Sequence, residues 1–429
     1  MRVPFGHSTG IADAEILSLL QLLRAPQSGD FRWVPGVYWD WRPFAAACDA
    51  HQIAPLIFCR LRDFPQDFVP SGLLEYLRAR FYEVSARNYH LASKLVELTA
   101  LLEGHDIPAL AYKGPAVAMA IYGDLALRQY EDLDLVIPKE HLSRALNLLT
   151  QRGFRITPYS SRGGFHYVPY SIRPENPRHL AKYHVVTLQA PDKTFFVDLH
   201  WHLANESGRA FCPDIEKVWD RAERLELPQG SVSTLCHEDL LSALCYHGTK
   251  HRWSCLKWLL DVAELFRRTE TLDWSRIQEM IADRPGVAAS TTLAVLLARD
   301  LLGVTVVTEV TKTLPITQRT VRLAAAIRDE ILLQGRANEN DHATLPKLKG
   351  SLVAWMKRLC IDYPGWWLDA VFGQVSPKDR ALISLPEKVQ FLYHFIRPAR
   401  LAVKYAKLVS RVLWLFTIAK KSLQHNRAN

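Results

Sequence analysis

The stretch Glu131-Asp132-Leu133-Asp134-Leu135-Val136 alternates acids with aliphatics, and a strand is the conformation that gives such a pattern two coherent faces. In an extended chain, residues two apart lie on one side with Cα atoms roughly 6.5–7 Å apart. Asp132 and Asp134 therefore project together, while Leu133 and Leu135 pack against whatever lies behind. Adjacent carboxylates repel, so the pair is costly unless something compensates it. A solvated strand end satisfies the pair. A divalent cation that keeps waters and phosphate oxygens as its other ligands satisfies it as well.

The hydrophobic period on either side of this strand sets the organisation. Ile16, Leu19, Leu20 and Leu23 recur at helical spacing, as do Leu91, Leu95, Leu98 and Leu102, with Gly104 placed as a helix C′ residue. The period changes at 107–112, a short apolar run that reads as a buried strand, followed by Lys113-Gly114-Pro115 and a compact helix over 116–122. A strand over 133–137, a helix over 139–152 closed by Gly153, and strands over 154–157, 184–189 and 195–201 complete the pattern. Residues 158–180, which hold Arg162-Gly163-Gly164 and four prolines, read as an exposed insertion. From His237 onward the period is helical. The expected architecture is α+β: a small mixed-sheet core over 106–205, an N-terminal helical region over 1–105, and a C-terminal helical domain over 206–429 with a basic amphipathic tail.

Composition narrows the surroundings. The 429 residues exceed the usual single-domain length, and 48% hydrophobic with 23% charged residues is ordinary for a globular chain with a real core. A formal charge of +9 favours an anionic partner such as nucleotide, nucleic acid or a membrane surface. Seven dispersed cysteines without a CxxC pair read as reduced thiols. The longest apolar run, near 412–419, falls short of the ~20 residues that span a bilayer. The expectation is a cytoplasmic protein, membrane-peripheral at most.

A second acid sits in a strand-like setting at Phe195-Phe196-Val197-Asp198-Leu199-His200-Trp201-His202. If that strand lies beside the first, Asp198 joins Asp132 and Asp134 in one carboxylate cluster, enough for two divalent ions about 3.5–4 Å apart to clamp a phosphoryl displacement. An ordinary strand aspartate paired with an arginine is the plainer alternative. Lys113 and Gly114 occupy a strand-to-helix turn, where close backbone approach, a helix start and a full positive charge suit phosphates. Arg128 precedes the acid pair and either reaches phosphates or pairs with Glu131. His247 and His251 share a helix face with Lys250 alongside, in a stretch that also holds Trp253, Lys257, Trp258 and Asp261; these either pack or line a nucleotide cleft. Gly248 stands where H-E-x-x-H requires glutamate, and neither a G-x-S-x-G elbow nor a G-x-x-x-x-G-K-[ST] loop occurs, so zincin, serine hydrolase and P-loop chemistries fall away.

Taken together, the Lys-Gly turn, Leu125-Ala126-Leu127-Arg128, Asp132-Leu133-Asp134-Leu135 and Val197-Asp198-Leu199-His200-Trp201 resemble the polymerase-β-like nucleotidyltransferase superfamily. More narrowly, they are similar to its uncharacterised bacterial branch, with further likeness over 240–265 and 385–398. The resemblance implies a nucleotidyltransferase core and transfer of a nucleoside monophosphate from an NTP such as ATP to an acceptor hydroxyl. It implies Mg²⁺ or Mn²⁺ on Asp132, Asp134 and Asp198, with Asp198 serving the acceptor side. Lys113-Gly114 replaces the superfamily's usual Gly-Ser. The acceptor hydroxyl belongs to a small molecule, an RNA or a protein. Residues 397–427 are basic and amphipathic without one acid, which suits a membrane surface, RNA, or docking on the protein body. The competing expectation is a catalytically silent protein of the same fold that binds RNA, a membrane surface or a partner protein through this tail.

Overall fold

The computed structural model describes residues 14–24, 41–64, 69–157, 184–204, 206–267, 272–305, 312 and 314–333. The expected insertion at 158–180 and the basic tail at 397–427 lie outside the described residues.

A mixed seven-stranded sheet organises the chain, with strands β1 (Leu110–Ala111), β2 (Asp132–Val136), β3 (Arg155–Ile156), β4 (Val185–Gln189), β5 (Phe196–His200), β6 (Glu223–Leu227) and β7 (Gly230–Thr234). Their spatial order is β3-β4-β5-β2-β1-β7-β6. β2 and β5 are parallel neighbours, with Asp134 opposite Asp198 and Val136 opposite His200. β1 runs antiparallel to β2 and β4 antiparallel to β5. The hairpin of β6 and β7, which follows residue 205, joins the sheet through a parallel pairing of β7 with β1.

Helices α1 (Ala14–Arg24), α2 (Arg42–Ala50), α3 (Ala54–Leu61) and α4 (Ser71–Glu103) precede the sheet. The 33 residues of α4 extend about 50 Å. Leu91, Leu95, Leu98 and Leu102 pack under the sheet, as the leucine stripe requires. The helix stops in a Schellman geometry, but the left-handed residue is Asp106 (φ 51°), while Gly104 stays right-handed (φ −64°). Ile107 N–H bonds Leu102 C=O and Asp106 N–H bonds Glu103 C=O, so the turn runs two residues beyond the glycine. Gly153 does hold the expected left-handed position after α6 (Leu142–Gln151), with φ 88°.

After β1, α5 (Pro115–Val117) continues as a π-helical turn (Ala118–Tyr122). Beyond β5 come α7 (Ile215–Asp220), α8 (His237–Lys250), α9 (Leu256–Arg267), α10 (Trp274–Asp283), α11 (Pro285–Leu302) and α12 (Gln318–Leu333). α11 is apolar along most of its length because it is central to the helical layer; by composition it could cross a bilayer, yet 83% of it is buried inside the protein. The N-terminal helices are bonded into this layer: Arg24 donates to the Asp300 and Leu301 carbonyls, and Arg267 to that of Leu23.

Alternation in the strands divides the sheet into two faces. Leu133, Leu135, Val186, Leu188, Val197 and Leu199 belong to the core, together with α4 and with Leu142, Ala145, Leu146 and Leu149 of α6. The intervening residues, Asp132, Asp134, Thr187, Asp198 and His200, therefore share the opposite face.

Candidate metal and phosphate site

Register alone brings the acids together. The parallel pairing sets Asp134 directly beside Asp198, and His200, two residues further on, lies on the same face one step along β5. One ligand atom from each of Asp134, Asp198 and His200 lies within 4.8 Å of the other two. Asp132 sits on this face opposite Phe196, and its charge reaches Asp198.

Asp134 is almost wholly enclosed, and its Oδ1 accepts from both Lys113 Nζ (3.0 Å) and His200 Nε2 (3.0 Å). Burial opposes its ionisation, but the Lys113 ammonium and the His200 N–H outweigh burial and hold it well below the usual carboxylate range. The reciprocal effect raises Lys113 above the ordinary lysine range in spite of its own burial. Asp198 goes the other way: burial first, then the charges of Asp134 and Asp132, push it up to about 7. Thr187 Oγ1 donates to Asp198 Oδ1 at 2.5 Å and partly offsets that rise.

Burial lowers His200 to about 4, so its imidazole is neutral near pH 7. With Nε2–H directed at Asp134, Nδ1 is an enclosed acceptor without a hydrogen bond. Tyr112 stands edge-on to this ring at 5.2 Å, with its hydroxyl 3.4 Å from Nε2. Two carboxylates and an imidazole with an unsatisfied ring nitrogen form a group that could hold a metal ion.

Lys113 leaves the end of β1 with its ammonium 4.6 Å from the centroid of the Tyr112 ring. Gly114 follows with φ 57° and ψ −126°, a backbone region that side-chain-bearing residues avoid. A Cβ there would stand 3.1 Å from the Asp132 carbonyl oxygen. The close approach that this glycine permits is thus between the turn and β2. Ala116 N–H and Ala118 N–H are already bonded to the Lys113 and Gly114 carbonyls.

From the helical layer, Lys250 at the end of α8 comes near enough for Asp134 and Asp198 to act on its ammonium, which crowding by protein and the Lys113 charge lower. His247 is lowered well below the ordinary imidazole range by burial and then by Lys113, so it is neutral. Its ring lies 4.6 Å from that of His251, and both pack on Trp258 at 5.3 and 5.1 Å. Arg128 is placed differently. Its Nε and Nη2 make a two-pronged pair with Asp261, each bond 2.9 Å, and Tyr122 OH donates to the same carboxylate at 3.0 Å. Of the residues singled out in the sequence, Lys113, Asp134 and Asp198 come together with Asp132 on the same face. Lys250 and His247 lie within reach of the Lys113 charge, His251 packs with His247 on Trp258, and the fork of Arg128 is held by Asp261 of α9.

His200 and Thr187 escaped the sequence reading. His200 carried a usable signal, because it lies two residues from Asp198 and must share its face; Thr187 depended on a strand pairing that spacing does not show.

Fold and site together define a mixed α/β protein whose sheet presents a carboxylate–imidazole cluster beside two lysines. The chain belongs to the uncharacterised nucleotidyltransferase family, whose model matches residues 39–303, a span that includes every residue of the cluster. No curated protein and no solved structure matches the chain.

Proposed function

We propose that this protein is a metal-dependent nucleotidyltransferase of the polymerase-β-like type, moving a nucleoside monophosphate from an NTP to an acceptor hydroxyl. The observation that carries the reading is the register of β2 on β5, which sets Asp134 against Asp198 with His200 on the same face of a family-matched sheet. A bound Mg²⁺ or Mn²⁺ would neutralise charge on the phosphates and lower the pKa of a coordinated hydroxyl. Asp134 and Asp198 would hold it, with His200 and Asp132 completing or bracing the seat.

Asp198 would face the acceptor side of the seat and orient the acceptor hydroxyl there. Lys113 and Lys250 place two positive charges beside the carboxylates, where a triphosphate must lie if its α-phosphorus is to be attacked there. His247, neutral and packed on Trp258, offers a flat wall for a base or an acceptor.

The test is incubation with each α-labelled triphosphate, Mg²⁺ or Mn²⁺, and a cell extract that supplies acceptors. Label transfer with pyrophosphate release is expected, reduced at least ~100-fold in Asp134→Ala and Asp198→Ala with the fold intact. Absence of transfer from every triphosphate, with no calorimetric binding of any metal–triphosphate, would leave a silent member of the fold.

A further inference from the structure

Lys113 does not extend toward open solvent as a waiting phosphate ligand would. Its ammonium sits 3.0 Å from Asp134 Oδ1, the oxygen that His200 Nε2 also meets, and Asp134 supplies one of the clustered ligand atoms. A monovalent cation therefore already compensates the acid at the centre of the cluster. A divalent ion bound to Asp134 at about 2.0–2.2 Å and an ammonium on the same oxygen would be like charges a few ångströms apart in an enclosed place, so they compete.

The surroundings give the lysine somewhere to go. Its flexible four-carbon stem begins at the end of β1, its side chain keeps 19% exposure, and Lys250 approaches from α8 near enough to be repelled by it. Two ammonium groups within reach of each other's charge repel unless an anion lies between them, and phosphate oxygens supply that anion.

We propose that Lys113 is a placeholder cation: it neutralises Asp134 in the metal-free protein, and a divalent ion entering the seat displaces it toward Lys250, where the pair holds the phosphates. This rests on reading Asp134, Asp198 and His200 as the metal seat. Metal loading and phosphate binding are then coupled through one side chain, and by reciprocity each tightens the other. The departure of this chain from the superfamily's Gly-Ser turn becomes part of the device, since serine carries no charge to lend.

The experiment uses the full chain and Mn²⁺ alone, without nucleotide, followed by the loss of the free-Mn²⁺ paramagnetic signal. Lys113→Met is expected to bind Mn²⁺ at least ~10-fold more tightly than wild type, Lys113→Arg within ~3-fold of wild type, and Asp134→Asn far more weakly than either. Unchanged or weaker binding by Lys113→Met overturns the proposal, and so does undetectable binding in both wild type and Lys113→Met. Should Lys113→Met fail to fold, wild type still decides. Amine acetylation of Lys113, quantified by peptide mass spectrometry, is expected to rise at least ~3-fold on Mn²⁺ loading as the lysine leaves Asp134; protection or no change overturns the exchange. Neither readout involves turnover, so the exchange can stand while the transferase reading fails, and the reverse.

Discussion

At the scale of single residues, the site is governed by how unevenly one sheet face distributes charge. Asp134 is compensated by Lys113 and His200, whereas Asp198, with the Thr187 hydroxyl as its hydrogen-bond donor, is pushed up to about 7 by burial and by the charges of Asp134 and Asp132. The consequence for stability has a definite sign. Between about pH 4 and 7 the metal-free native state binds a proton at Asp198 that the unfolded chain has released, so this group makes stability fall as pH rises through that window and level off above it. Asp198→Asn removes the dependence. With chelator present, the melting temperature of the variant is expected to match wild type near pH 4 and to exceed it by about 2–4 °C above pH 7.5. A difference that stays flat from pH 4 to 8 would show that Asp198 titrates normally. This asymmetry was not legible in the sequence. The spacing of Asp132 and Asp134 announced a shared face, but which acid is compensated depends on Lys113 returning from 21 residues away and on a threonine of a strand separated from β2 by β5.

At the scale of elements, the strands and helices around the acids follow their periodicities, because one buried face per element is what those patterns encode. Alternation in β2, β4 and β5 and the i, i+4 leucines of α4 all point into one core. What the pattern could not show was the β6–β7 hairpin, whose exposed Glu223, Arg224 and Glu226 give a polar edge strand little hydrophobic signature. Nor could it show the clamp that aims β2. Asn88, wholly buried in the middle of α4, donates Nδ2 to the Leu125 and Arg128 carbonyls at 2.6 and 2.9 Å, while Tyr130 OH donates to the Asn88 carbonyl at 2.9 Å. An asparagine inside an apolar helix stripe looks like a local defect, yet here it fastens the irregular segment that delivers the acid pair. Asn88→Leu removes both donors and leaves two enclosed carbonyls unmatched, at about 1–3 kcal/mol each. Faster amide hydrogen exchange is expected over 124–131, with little change in α6 or α11. Exchange that rises evenly across the protein would indicate a general loss of stability instead of a local clamp.

At the scale of the whole molecule, the helical layer and the sheet are locked by an ion pair that water scarcely reaches. Asp261 of α9 is fully buried and takes both prongs of Arg128 with Tyr122 beside them. Lys257, one turn earlier on α9, donates to the Gln129 carbonyl at 2.9 Å, so α9 grips the segment before β2 at two adjacent points. The sequence left open whether Arg128 reaches phosphates or pairs with an acid; its partner lies 133 residues away, beyond any spacing argument. Removing one member of such a pair strands the other, and Asp261→Asn or Arg128→Met is expected to lower stability by about 3–5 kcal/mol in chemical denaturation. Replacing both together with residues of similar volume, Arg128→Met with Asp261→Leu, is expected to restore most of that loss, since no buried charge is then left alone. The double variant also separates the roles of Arg128. If the arginine serves only to hold α9 to the sheet, the restored protein keeps its affinity for metal–triphosphate within about threefold, measured by calorimetry. If affinity falls tenfold or more while stability returns, the guanidinium contacts phosphate during binding, and the pair with Asp261 is its resting position.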